Sequence, residues 1–181
     1  MKTLIIHPQD RSTYFLDTVY ENVPNKTVVT GGVTRVELIN LIQNHDRIMM
    51  LGHGTPDGLL NMGQFPESSA YVIDRWMAPL LAEKQENVFI WCNADQYVNR
   101  HQLKGFYSGM FISEVGEATY CGLPGMSQDL VDESNFGFCE ILGKLINEPK
   151  EVIYESVKEK YGEIAEINPV ALYNHKRLYL A

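Results

Sequence analysis

The sequence predicts an α/β protein, a three-layer sandwich around a mostly parallel sheet, and three observations lead there. Short runs rich in Ile, Val and Phe recur along the chain, and they are continuous rather than alternating, as in strands covered on both faces. Segments with helical apolar spacing separate them. The resulting strand–helix–strand succession is the pattern of parallel sheets joined by right-handed crossovers.

In chain order, the predicted strands are "TLIIH" (Thr3 to His7), "KTVVT" (Lys26 to Thr30), "RIMMLG" (Arg47 to Gly52), "NVFIWC" (Asn87 to Cys92) and "FYSGMFI" (Phe106 to Ile112). From Thr34 to Asn44 the apolar set Val36, Leu38, Ile39, Leu41 and Ile42 reads as one helix stripe. A second stripe, Val72, Ile73, Trp76, Met77, Leu80 and Leu81, predicts a helix from Tyr71 to Glu83. After Ile112 the pattern becomes helical. Ser127 to Asn147 forms one long segment ending before Pro149, and a further helix runs from that proline to Tyr161 with Gly162 as its stop signal. Asn168 and Pro169 signal another helix start, while "RLYLA" fits either a sixth strand or a docked terminus.

A chain of 181 residues fits one domain, 1–181, because a core of this size buries roughly 70% of the unfolded chain's surface. Its 45% hydrophobic and 21% charged composition contains no low-complexity tract, repeat or Gly/Ser linker. The net charge of −8 repels a phosphate backbone and no Lys/Arg run makes a local exception, so nucleic acid is not an expected partner. The apolar patch near the N-terminus is too short for a signal segment, and no stretch of about 18 apolar residues occurs, so no membrane association and a cytoplasmic location are expected. Cys92, Cys121 and Cys139, odd in number and widely spaced, suit reduced thiols better than disulfides or zinc. Cys121 reads as packing beside a loop and Cys139 as core.

Two blocks carry the chemistry. In "RIMMLGHGTPDG" (Arg47 to Gly58) an apolar strand runs into His53 with glycine on either side. In "NVFIWCNAD" (Asn87 to Asp95) another ends in Cys92. If the two strands are parallel neighbours, both residues sit at carboxyl ends, the edge where open α/β sheets place ligands. Strands about 4.8 Å apart bring imidazole and thiol within reach. An imidazole can accept the thiol proton and leave a nucleophilic thiolate. Gly54 and the Cys92 amide could donate to an oxyanion, and "TPDG" (Thr55 to Gly58) predicts a turn opening a small hairpin. A serine hydrolase would need Gly-x-Ser-x-Gly, which is missing. His7, His45, His101 and His175 are scattered with no metal-ligand spacing, and "TGGVTR" (Thr30 to Arg35) fits no phosphate loop. His7, at the same edge, is the one competing base. Neither metal nor cofactor is expected.

The order of strand, His-Gly, helix, strand and Cys resembles the caspase-like cysteine peptidases, a group that includes caspases, metacaspases, gingipains, clostripain and legumain. "MMLGHGTPDG" is similar to their histidine block, hairpin included. "VFIWCNAD" is similar to their cysteine block, although Trp91 precedes the cysteine and no glycine follows it. The resemblance spans Met1 to Ile112 in layout. It implies a caspase-like fold and a peptide or protein substrate, with Cys92 as nucleophile, His53 as general base and acid, and Gly54 as an oxyanion donor. For specificity it directs attention to Arg11, which could receive an acidic side chain, and Asp95, which could receive a basic one. A different class of reading, favoured by Trp91, is a catalytically inactive domain that binds a partner through the same edge.

Overall fold

The computed structural model describes residues 1–181. Strand β1 (Thr3–Ile6) leads through a 3₁₀ turn at Tyr14–Leu16 into α1 (Asp17–Tyr20). Then follow β2 (Lys26–Val29), α2 (Arg35–Gln43) and β3 (Arg47–Leu51). Helix α2 starts on a capping box in which the Thr34 hydroxyl and the Glu37 carboxylate each satisfy the other's backbone N–H. Beyond β3 come three short strands, β4 (Gly54–Thr55), β5 (Gly58–Leu60) and β6 (Tyr71–Ile73), which pair antiparallel in a small separate sheet.

The central sheet resumes after α3 (Ala78–Ala82) with β7 (Asn87–Ile90), α4 (Ala94–His101) and β8 (Gly105–Ser108). Helices α5 (Val115–Tyr120), α6 (Gln128–Leu145), α7 (Lys150–Ala165) and α8 (Pro169–His175) precede β9 (Leu178–Leu180). Strand order is β2-β1-β3-β7-β8-β9, parallel throughout except that β9 runs antiparallel to β8. The architecture is α/β with a mixed, mostly parallel six-stranded sheet, consistent with three layers.

Each face of the sheet has its own core, as continuous apolar strands demand. Met50, Phe89 and Trp91 point to one side, against Leu38 and Ile42 of α2, Leu81 of α3 and Tyr97 of α4. Met49, Leu51, Val88 and Ile90 point to the other, against Val19 of α1, Phe138 and Leu142 of α6 and Tyr161 of α7. Cys139 is buried in this second core. No helix is long and apolar enough to cross a membrane.

Several elements depart from expectation. The segment Tyr71 to Glu83 is not one helix. Its first residues, Tyr-Val-Ile, suit a strand, and they pair with β5 while the Tyr71 hydroxyl meets that of Thr55 at 3.0 Å. Only Ala78–Ala82 is helical. The strand expected to run to Ile112 stops at Ser108, and Phe111 and Ile112 are buried from a loop instead. Helix α7 continues through Gly162 to Ala165, since Gly162 keeps helical backbone and Ile153, Val157, Tyr161 and Ala165 bury one stripe that spans it. "RLYLA" supplies the antiparallel edge strand β9.

Candidate functional site

The register of the sheet explains how the two blocks meet. Leu51 of β3 is level with Ile90 of β7, and the Gly52 amide donates to the Ile90 carbonyl at 3.1 Å. Two residues further along each strand bring His53 level with Cys92, and the pleat's period of two turns both toward the face of Leu51 and Ile90. Both line one narrow cleft with Leu16, Phe15, Trp91 and Phe111. The cleft encloses about 20 Å³, room for about one water molecule.

Chain geometry after Cys92 supports its placement. Asn93 adopts φ of +66°, the left-handed conformation that lets the strand turn sharply into α4. Glycine does this without steric cost, and Asn is among the few side chains that tolerate it. The Cys92 amide donates to no protein acceptor, leaving it open for a bound group.

His53 is held from the loop after β1. Its Nε2 lies 2.7 Å from the Ser12 hydroxyl and 3.1 Å from Asp10 Oδ2. Ser12 in turn gives both its amide, at 2.9 Å, and its hydroxyl, at 2.7 Å, to Asp10 Oδ1. Burial raises the Asp10 pKa, and the Ser12 hydrogen bonds and the His53 ring outweigh it, so the net shift is downward and the group is a carboxylate at neutral pH. A carboxylate only accepts, so Nε2 carries the ring proton and Nδ1 presents the basic lone pair. Nδ1 has no protein partner.

Cys92 is held from the opposite wall. Its thiol donates to the Phe111 carbonyl at 3.3 Å and lies 3.7 Å from Glu117 Oε1. Burial first, and the Glu117 charge second, push its pKa up to about 12. The thiol is therefore protonated in this conformation, and it makes no hydrogen bond to His53. Glu117 is fixed by the Ser113 amide at 2.7 Å and the Ser113 hydroxyl at 2.9 Å.

His7 lies next to the site, fully buried between the Tyr20 hydroxyl at 3.1 Å, Thr13 at 3.3 Å and Asp17 at 3.3 Å. Burial lowers its pKa to about 4. It is absent from the cleft wall, so its role in this arrangement is to anchor the β1 loop through Thr13, which accepts from the Asp10 amide.

The remaining sequence candidates sit apart. Gly54 lies on the other face of the sheet, where a Cβ would stand 2.0 Å from Trp91 Cδ1. The indole covers it and donates to the Thr55 carbonyl at 3.1 Å. Its missing side chain is thus accounted for by packing, and it does not line the cleft. Arg11 is exposed and lines a neighbouring hollow. Asp95 is half-buried in the first turn of α4 with Oδ1 unpartnered, beside Gly109 rather than in the cleft. No group of three or more His, Cys, Asp or Glu side chains is arranged to hold a metal ion.

Asp10, Ser12, Asn93 and Glu117 were not singled out from sequence. "PQDRS" does carry a signal, since Asp followed two residues later by Ser commonly closes a local side-chain turn. Glu117 carries none, because its approach to Cys92 depends on how the short helix α5 docks against the sheet. Protein-family models, curated proteins and solved structures yield no match to this chain.

Proposed function

We propose that the chain is a caspase-like cysteine peptidase or closely related acyl-transfer hydrolase, working on a peptide substrate through Cys92 and His53. The observation that carries this reading is the shared level and shared face of these two residues at the carboxyl ends of adjacent parallel strands. The antiparallel hairpin after His53 supports it, as does the left-handed turn at Asn93.

In this mechanism substrate binding parts the thiol from Phe111 and Glu117 and turns it to the imidazole. Nδ1 of His53 takes the thiol proton, the sulfur attacks the scissile carbonyl, and the Cys92 amide donates to the developing oxyanion. The imidazolium then protonates the leaving amine. A water molecule, deprotonated by the same ring, hydrolyses the thioester and restores the thiol. Asp10 and Ser12 keep the ring in the tautomer that this sequence requires.

The second reading, an inactive domain that binds a partner at the same edge, draws on the protonated thiol and the small cleft. Iodoacetamide labelling of Cys92 across pH 5–10, with hydrolysis of a mixed-sequence fluorogenic peptide library, separates the two. Library cleavage abolished by Cys92→Ala, with fast labelling near neutral pH, supports the peptidase. Slow labelling throughout, with no cleavage, overturns the peptidase and favours the binding module.

A further inference from the structure

A hollow of about 490 Å³ opens away from the thiol cleft, with which it shares no residue. It lies between the hairpin turn at Asp57, the link from β6 to α3 (Asp74 to Trp76) and the C-terminal end of α4, where Arg100 and His101 stand. We propose that this hollow binds a small molecule in which a planar aromatic ring carries an anionic group, a phosphate or a carboxylate. The ring lies against Trp76 and the anion against Arg75 and Arg100.

The indole of Trp76 is the first argument. It is 69% exposed, whereas the other tryptophan, Trp91, is 1% exposed. The Arg75 guanidinium lies over this ring, 4.7 Å from its centroid, a cation–π contact that steadies both side chains. The Trp76 amide donates to Asp74 Oδ1 at 2.9 Å, which fixes the backbone beneath the indole. A wide aromatic face held in this way is a stacking platform for a flat ring.

Charge supplies the second argument. Arg35 Nη2 reaches both oxygens of Asp74, at 2.9 and 3.0 Å, so that carboxylate is already neutralised. Arg100 donates to Asp57 Oδ1 at 2.7 Å through Nη1 alone, and its other N–H groups have no protein partner. Arg75 joins no ion pair. Three guanidinium groups against two carboxylates leave this corner positive in a chain whose net charge is −8. Burial, then the Arg100 charge, lower the pKa of His101, so its ring is neutral at pH 7 and lends a further N–H donor. Free guanidinium donors beside an exposed ring match an anion attached to an aromatic group. The volume is that of a small-molecule site, roughly 300–1,000 Å³.

Calorimetric titration of the native chain with adenosine 5′-monophosphate and with indole-3-acetate tests the proposal. Each is compared with its ring alone, adenosine or 3-methylindole, and with its anion alone, ribose 5-phosphate or acetate. At least one of the two ring-bearing anions is expected to bind at least about tenfold more tightly than either of its halves, and which one does so distinguishes phosphate from carboxylate. Arg75→Gln and Trp76→Leu, both at exposed positions, are each expected to weaken that binding at least about fivefold with the circular dichroism spectrum unchanged. The ligand should also shift the Trp76 indole N–H resonance, identified by its loss in Trp76→Leu, and leave that of Trp91 in place. A half that binds as tightly as the whole overturns the proposal, as does full binding in Arg75→Gln or the absence of binding by both compounds at millimolar concentration.

Discussion

Asp10 and Glu117 act on the two candidate reacting groups in opposite senses. Asp10 fixes the His53 proton on Nε2 and leaves Nδ1 basic, whereas Glu117 keeps the Cys92 thiol protonated. Asp10→Asn is accordingly expected to lower acylation of Cys92 by at least about tenfold, since a carboxamide can bond either tautomer. Asp10→Glu should restore part of it, and single-turnover kinetics with a peptide thioester measures both. Glu117→Gln should move the thiol the other way, giving a several-fold faster reaction with iodoacetamide at pH 7.5. An unchanged rate would mean that burial alone sets the thiol's state.

At the scale of elements, the thiol strand and the hairpin depend on one glycine. Gly54→Ala would drive a methyl group into the Trp91 indole, and overpacking of this kind costs about 1–3 kcal/mol. A urea midpoint lowered by that amount, together with altered tryptophan fluorescence, is the expected result. By contrast, Thr34→Ala removes only a helix cap on α2, so a loss of about 1 kcal/mol with Cys92 reactivity untouched is expected from the same measurements. The strands β1, β3 and β7 were legible in the sequence because burial on both faces leaves an uninterrupted apolar run, and the edge strand β2 was legible from its β-branched Thr-Val-Val although Val28 is exposed. Tyr71–Ile73 was misread because three strand residues followed by a short helix mimic one continuous helical stripe. The helix α5 escaped notice because its six residues, Val115–Tyr120, bury chiefly Ala118 and show no stripe at all.

Over the whole molecule, pH acts through His7. Its folded pKa of about 4 lies below the ordinary 6.5, so between these values the unfolded chain binds a proton that the native one refuses. Stability from this group is intact above pH 6.5 and falls as pH drops toward 4, by up to about 3 kcal/mol. His7→Gln should flatten that part of the profile in urea titrations at pH 7, 5.5 and 4.5. The placement of His53 and Cys92 on one cleft was readable without coordinates, because parallel strands carry sequence position directly into height along the sheet. The holders of the two side chains were not, since Asp10 reaches His53 from a loop and Glu117 reaches Cys92 from the short helix α5, and the course of each is set by tertiary packing.

The Trp91 brace also determines which wall can yield. With the indole bonded to Thr55 and seated on Gly54, the thiol strand and the hairpin beyond the imidazole form one rigid half of a clamp. Opening is therefore expected in the other jaw, where the backbone from Gly109 to Glu117, pinned at Ile112 by Asn174, faces the β1 loop. Amide deuterium uptake in residues 109–117, with Gly109 and Ile112 initially protected by Arg177 and Asn174, should quicken when a mixed disulfide forms at Cys92, while residues 52–60 and 87–92 stay slow.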